Sequence, residues 1–248
     1  MADWKIIHID ETDSTNRWLR SEILNSSEQI PIAVWADYQT AGRGCGANKW
    51  ESERGKNLTF SILIHPGNIP AARQFDISMA ISLAICEALG QHLLQPESRS
   101  VASNGDLSIK WPNDIYWRNG KIAGILIEHT LHGNVITNSI IGVGLNVNQR
   151  VFHSDAPNPV SLWQICKHET DREQLLHDIL CAFDRYLGQD IHDQYLGMLY
   201  RRSGFYPYRD QNGTFMAELV TIAPDGHLLL RDDKGQQHRY AFKEVSFV

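Results

Sequence analysis

Apolar and polar positions along this chain follow two periods, and the changes of period divide it into elements. Ile6, Ile7 and Ile9 mark a short strand over 5–9. Trp18, Leu19, Ile23 and Leu24 then recur at helical spacing to about residue 25. Asp13 or Ser14 caps that helix, because Asp-Ser-Thr-Asn offers several acceptors for the orphan amides of a first turn. Residues 32–38 and 56–64 read as strands. Over 71–94, Phe75, Met79, Ile81, Leu83, Ala84, Ile85, Ala88 and Leu89 fall three and four apart. This is the longest predicted helix, expected to lie across a sheet and to carry structure, with a polar connection after it over 96–106. Leu175, Leu176, Ile179, Leu180, Phe183 and Leu187 predict a second helix over 172–187, and 195–202 continues a helical region. Between 155 and 170 lies a Pro-, Asn- and His-containing connection in which Ser161-Leu162 opens a short helix. From about 203 the pattern shortens to strand-like runs at 205–206, 214–222, 227–231 and 237–242. Asn212-Gly213, Pro224-Asp225-Gly226 and the 232–235 segment separate them as turns. This end reads as a small antiparallel β module.

The stretch over 108–128 organises the rest. Ile109, Trp111, Ile115, Tyr116 and Trp117 are strand formers. Arg118-Asn119-Gly120 is a hairpin turn, since Asn and Gly accept positive φ cheaply. The return strand over 121–128 is nearly all apolar, which predicts burial on both faces. Pro112 removes a ladder donor, so the first strand bends or breaks there. Lys110, Asn113, Asp114 and Lys121 interrupt an apolar hairpin. A lysine beside a buried strand is unfavourable unless an anion meets it; the alternative is that both lysines snorkel to the surface.

Two further stretches carry candidate chemistry. The loop over 39–50, QTAGRGCGANKW, is rich in glycine and base, and such loops wrap phosphates with backbone amides. Val135 to Asn148 reads as a strand marked by Ile140, Ile141, Val143, Leu145 and Val147. Gly142 and Gly144 inside it mean close approach of a ligand or of a neighbouring element. Ser14-Thr15-Asn16 is either a cap alone or an anion-attracting helix start.

Composition narrows the class. The 248 residues allow one large domain or one domain with a small appendage, and 42% hydrophobic residues supply a sizeable core. A net charge of −6 argues against nonspecific nucleic-acid binding while permitting a local basic phosphate site. Cys45, Cys86, Cys166 and Cys181 form no CxxC pair, so neither a disulfide framework nor a zinc site is expected. His153, His168, His177 and His192 have no metal-ligand spacing. The N-terminus lacks a signal-peptide pattern and no apolar run is long enough to span a bilayer, so the expected compartment is the cytoplasm.

KWPND at 110–114 followed by GKIAGIL at 120–126 resembles the core of the biotin protein ligases, with lipoate ligases as more distant relatives. TAGRG with Trp50, and GVGLNVN over 142–148, match further motifs of that family in order. The resemblance implies an α+β fold: a mixed β-sheet with helices packed on it, like a class II synthetase, plus a small C-terminal SH3-like β-barrel. It implies a ligase domain over 1–200 and the SH3-like domain over 203–248. It implies ATP-dependent activation of biotin as biotinyl-5′-AMP and transfer to a lysine of a biotin carboxyl carrier protein. ATP, biotin and Mg²⁺ are the implied ligands; a homodimer through a sheet edge stays open. No helix-turn-helix precedes the ligase motifs, so operator binding is not expected, and neither is a nucleic-acid or membrane partner.

By the same resemblance Lys121 and Arg43 act on the carboxylate and phosphate. Ser14, Thr15, Asn16 and Gln39 contact biotin. Gly42, Gly44, Cys45 and Trp50 belong to a ligand-ordered flap in which Trp50 stacks on adenine; an ordinary core anchor is the alternative for Trp50. Gly124, Gly142 and Asn146 border the biotin adenylate, and Asn113 and Asp114 lie beside nucleotide and metal. No tightly bound metal is implied. The flap departs from the family's Gly-Arg-Gly-Arg-x-Gly-x-x-Trp, with Cys45 for the second arginine and Ala47 for the third glycine. A thiol cannot clamp a phosphate as a guanidinium does, so an active ligase whose adenylate leaks more readily is expected, with Lys49 a partial substitute. A lipoate or octanoyl ligase, and a biotin-binding homologue that does not transfer, are the competing readings.

Overall fold

The computed structural model describes residues 2–25, 30–44, 46, 48–93, 104–154 and 156–248, and for 23–25 and 104 the backbone alone. Seven strands make one mixed sheet: β1 (Lys5–Thr12), β2 (Ile32–Gln39), β3 (Leu58–Ile64), β4 (Leu107–Lys110), β5 (Asp114–Trp117), β6 (Gly120–His132) and β7 (Val135–Leu145). Their order is β1-β2-β3-β7-β6-β5-β4. Only β1 and β2 pair in parallel, joined by helix α1 (Thr15–Asn25); the other pairs are antiparallel.

Helix α2 (Phe75–Leu93) is buried along most of its length, between the sheet and helix α4 (Arg172–Tyr186). Small residues, Ala80, Ser82, Ala84, Ala88 and Gly90, alternate with Ile77, Ile81, Ile85 and Leu89, so neighbours approach on two sides. Each fully buried Leu or Ile there contributes about 1.5–3 kcal/mol. Asp171 caps α4 by accepting from the amides of Glu173 and Gln174. Helix α3 (Leu162–Cys166) starts in a capping box between Ser161 and Gln164. A second, smaller apolar cluster joins Leu19 of α1 to Ile32, Val34, Leu63 and Ile140 on the sheet. Of the apolar face read for α1, the side chains of Ile23 and Leu24 lie outside the described residues, as does most of the 96–106 connection.

Three local readings change. The central stretch is a three-stranded meander, β4-β5-β6, because the chain turns at Trp111–Asn113. Strand β6 runs on to His132 and is not buried on both faces: Ile122, Ala123 and Ile125 are buried, while Lys121, Gly124 and Leu126 are half-buried on a cavity. The helical region near 195 is a short helix α5 (His192–Gly197); Leu199 then pairs with Ile109, which draws the backbone out of the helix.

The remaining strands, β8 (Tyr206–Asp210), β9 (Gly213–Ile222), β10 (Leu228–Asp232), β11 (Gln237–Tyr240) and β12 (Ser246–Phe247), form an antiparallel sheet ordered β11-β10-β9-β8-β12. Its apolar face, including Tyr208, Leu228 and Leu230, is continuous with the main core. The Pro224-Asp225-Gly226 turn makes the joint. Gly226 has φ +88, its carbonyl accepts from Trp111 Nε1 at 2.9 Å, and a Cβ there would lie 2.7 Å from the Phe75 ring. Gly226→Ala therefore combines left-handed strain with overpacking and should destabilise the protein by about 2–4 kcal/mol. An unchanged urea midpoint would mean that this turn does not seat against Phe75.

Candidate active site

A cavity of about 480 Å³ opens where α1, β3, β6 and β7 meet the flap of 42–50 and the end of the C-terminal sheet. Its deep end is a hydrogen-bonded chain of polar groups at the start of α1. Ser14, Thr15 and Asn16 are all at least 95% buried. The Thr15 amide donates to Gln39 Oε1 at 2.8 Å, and the Thr15 hydroxyl reaches both that oxygen and Ser61 Oγ. Ser61 Oγ donates to Asn16 Oδ1 at 2.6 Å, and Asn16 Nδ2 to Glu128 Oε2 at 2.9 Å. A simple cap would not tie two residues to three strands in this way. With its amide oxygen engaged, Gln39 offers the cavity its NH₂ group.

The floor is glycine. Gly124 and Gly144 face each other across β6 and β7, and Gly142 lies opposite Leu126. The Trp50 indole rests on this floor: a Cβ on Gly144 would lie 2.3 Å from it and one on Gly124 3.2 Å. A Cβ on Gly142 would lie 2.2 Å from Asn16 Oδ1. Trp50 is thus packed, but on the wall of a cavity it also lines, and its buried Nε1 has no hydrogen-bond partner.

The flap is a small hairpin. Arg43 bridges Lys49, the Gly44 amide donates to the Asn48 carbonyl, and the Trp50 amide to the Gly42 carbonyl. Glu51, just beyond, anchors it by accepting from the amides of His153 and Ser154. Cys45 and Ala47 lie outside the described residues. Arg43 is exposed but paired: its guanidinium meets Glu128 Oε1 at 3.2 Å, where Arg20 also binds at 3.0 Å.

Across the cavity Lys121 Nζ pairs with Asp114 Oδ1 at 2.7 Å and sits 5.7 Å from the centre of the Trp50 ring. Its side chain is 28% exposed, so the ammonium is half-buried and not sealed in the hairpin. Asn113 holds its own turn onto β6, donating to the Ile125 carbonyl at 2.7 Å and accepting back from the Ile125 amide. Lys110 donates to the Tyr116 hydroxyl at 3.1 Å, and burial, opposed in part by Asp114, holds its ammonium below the ordinary lysine range. Burial first, and Asp114 second, push the Tyr116 hydroxyl up to about 12.

The structure therefore brings together on one cavity Ser14, Thr15, Asn16, Gln39, Arg43, Gly44, Trp50, Asn113, Asp114, Lys121, Gly124 and Gly142. Two expected residues stand back from it. Gly42 forms the base of the flap, and Asn146 lies behind Lys121, its Nδ2 donating to the Val160 carbonyl at 3.1 Å and its buried Oδ1 unpartnered. Sequence reasoning left out Ser61, Glu128 and Lys243, and singled out Lys110 without giving it a role in the site. Glu128 had a signal, a carboxylate ending an apolar run; Lys243 had none. Among the described residues the lining holds Arg43, Lys49, Lys110, Lys121 and Lys243 against the single carboxylate of Asp114. Such a wall suits a polyphosphate.

Comparison with known proteins agrees with this geometry. The sequence profile of the Biotin/lipoate A/B protein ligase family matches residues 9–146. The chain is 32% identical over 185 residues to the biotin--[acetyl-CoA-carboxylase] ligase of Paracoccus denitrificans, covering 72% of this chain and 71% of that protein. It is 27% identical over 258 residues to the bifunctional ligase/repressor BirA of Bacillus subtilis, covering 95% of this chain and 72% of that one. Its fold superposes on the Aquifex aeolicus biotin protein ligase solved with biotin and ATP, with a TM-score of 0.77, 25% identity and 98% of each chain covered.

Proposed function

This chain belongs to the Biotin/lipoate A/B protein ligase family, and we propose that within it the chain is a biotin--[biotin carboxyl carrier protein] ligase. The observation that carries the reading is a single cavity with hydrogen-bonding groups at one end and a cationic wall at the other. The Thr15, Asn16 and Gln39 end suits a ureido ring, which both donates and accepts; a dithiolane does neither well. Residues 1–200 serve as the ligase domain and 203–248 as an SH3-like appendage, a division supported by the change of sheet between α5 and β8.

In the first step a biotin carboxylate oxygen bonds to the α-phosphorus of ATP, and the bond to the β-phosphate oxygen breaks to release pyrophosphate. In the second, a carrier lysine amine attacks the acyl carbonyl, an amide forms, and AMP leaves with one proton released. Neither step needs a protein nucleophile. The chain positions two anions and neutralises the charge that builds on phosphate. Lys121 and Arg43 take that part, and Arg43 must exchange Glu128 for the ligand to do so. The flap covers the product and keeps water from the anhydride. Asp114, with the Asn113 side chain beside it, fits Mg²⁺, an ion commonly held by one carboxylate and the substrate phosphates. There it would neutralise charge on the departing pyrophosphate.

Pyrophosphate release from ATP with biotin, lipoate, octanoate or no acid tests the reading. Release with biotin, followed by labelling of an apo carrier domain, is expected. Release only with lipoate or octanoate makes it a lipoate-type ligase, and biotin binding without release makes it a non-transferring homologue. Cys45→Arg should slow loss of the bound adenylate by roughly tenfold to a hundredfold, the worth of one charge-assisted hydrogen bond. Equal off-rates for the two proteins would remove position 45 from adenylate retention.

A further inference from the structure

We propose that Lys243, in the turn between β11 and β12, is a phosphate-binding residue of this site and holds the outer phosphates of ATP, the part that leaves as pyrophosphate. The inference rests on the reading of the cavity as an adenylating site. Three observations carry it. Lys243 lines the same cavity as Lys121 and Asp114 although it lies over a hundred residues away in sequence. Its Nζ reaches the flap tip from the far side: a Cβ on Gly46 would lie 3.0 Å from it. Among the described residues no carboxylate pairs with it, and its ammonium lies 5.5 Å from the centre of the Phe242 ring.

The local backbone is built to present that side chain. Lys243 sits at φ +73, a left-handed conformation that lysine adopts at a cost. The turn around it is closed at both ends, with the Glu244 amide donating to the Ala241 carbonyl and the Glu244 carboxylate accepting from the Ala241 amide at 2.7 Å. The acid next to it in sequence, Glu244, thus closes the turn and does not pair with the lysine. Phe242 meets Trp111 edge-on at 6.4 Å, which fixes the turn beside the Trp111–Asp114 corner.

Depth assigns the phosphate. The α-phosphorus must meet the acyl carboxylate, so it belongs near half-buried Lys121. The β- and γ-phosphates then extend toward the mouth, where exposed Lys243 and the flap tip face each other. Bound there, the polyphosphate also bridges Gly46 and the turn that carries Lys243. Once pyrophosphate leaves, the bridge is gone, which separates this role from retention of the adenylate.

The test titrates inorganic pyrophosphate with Mg²⁺ into the whole protein by calorimetry and measures the KM for ATP. Lys243→Asn, which suits the left-handed turn, should weaken pyrophosphate binding about tenfold and raise the KM for ATP equally. Lys243→Arg should stay within threefold of the parent, and Lys243→Glu should fall below Asn. Biotin affinity without nucleotide should stay within twofold in all three. Pyrophosphate affinity that ignores the charge at 243 overturns the proposal, as does a loss in which Arg is as poor as Asn. The titration is readable even if the parent protein activates no biotin, so failure of the functional reading leaves this result standing or falling by itself.

Discussion

Lys121→Ala should lower biotin-dependent pyrophosphate release by at least about 10²–10³-fold while leaving the fold in place. That range is what one preorganised charge aimed at a developing anion contributes, roughly 2.7–4 kcal/mol of barrier. In this chain the loss should reach the upper end, because the Asp114 carboxylate 2.7 Å away would lose its ammonium partner and leave Mg²⁺ alone to offset it beside the phosphates. The fold should tolerate the change. The Lys121 backbone is held independently of its side chain, its amide donating to the Asn158 carbonyl at 2.8 Å and its carbonyl accepting from the Val160 amide at 3.0 Å. The side chain it abandons, Asp114, is 23% exposed and can take up water. Burst measurement of pyrophosphate, alongside a urea titration, separates the two effects. Undiminished release by the variant would refute the role given to Lys121, and so would a loss that merely tracks unfolding.

Residues whose environment is set by their own strand or turn could be read from the chain, and those set by a distant element could not. KWPND and GKIAGIL are local: Pro112 breaks the strand, Asn113 bonds back onto β6, and the register of β5 on β6 brings Asp114 and Lys121 to one side. The unusual glycines of β7 announced close approach, but not by what. Asn16 and Trp50 fill that space, from elements more than ninety residues earlier. β6 is less buried than its composition suggests because the cavity-lining Gly124 and Leu126 are interleaved with the buried Ile122, Ala123 and Ile125, and composition does not tell a core wall from a ligand wall. The Arg43–Glu128–Asn16 connection and the place of Lys243 depend on how the flap and the C-terminal sheet dock, which no periodicity encodes. The chemistry of the candidate site was therefore legible in kind, cationic and amide-rich, while its second wall was not.

Gly142→Ala should weaken biotin binding by about a hundredfold and destabilise the protein by only about 1–3 kcal/mol. A methyl group there falls 2.2 Å from Asn16 Oδ1 and 2.9 Å from its Cγ, so one side must yield. Strand β7 cannot, since at that residue it is paired with Ser61 on one flank and Leu126 on the other. Asn16 yields, and its bonds to Ser61 Oγ and Glu128 Oε2 break together, which accounts for the lost stability; the hundredfold follows as the displaced amide forfeits two hydrogen bonds to the ureido ring at about 1–1.5 kcal/mol each. Gly144→Ala makes an instructive contrast. Its methyl would strike the Trp50 indole at 2.3 Å, but Trp50 belongs to the flap and not to the polar chain of α1, so ATP binding should suffer and biotin binding should not. Calorimetry with each ligand distinguishes the two glycines. Adding Asn16→Ala to Gly142→Ala should restore stability by removing the clash without restoring affinity, because the group proposed to contact the ligand is gone. Biotin bound equally well by Gly142→Ala and the parent would detach the α1 polar chain from the biotin end of the cavity.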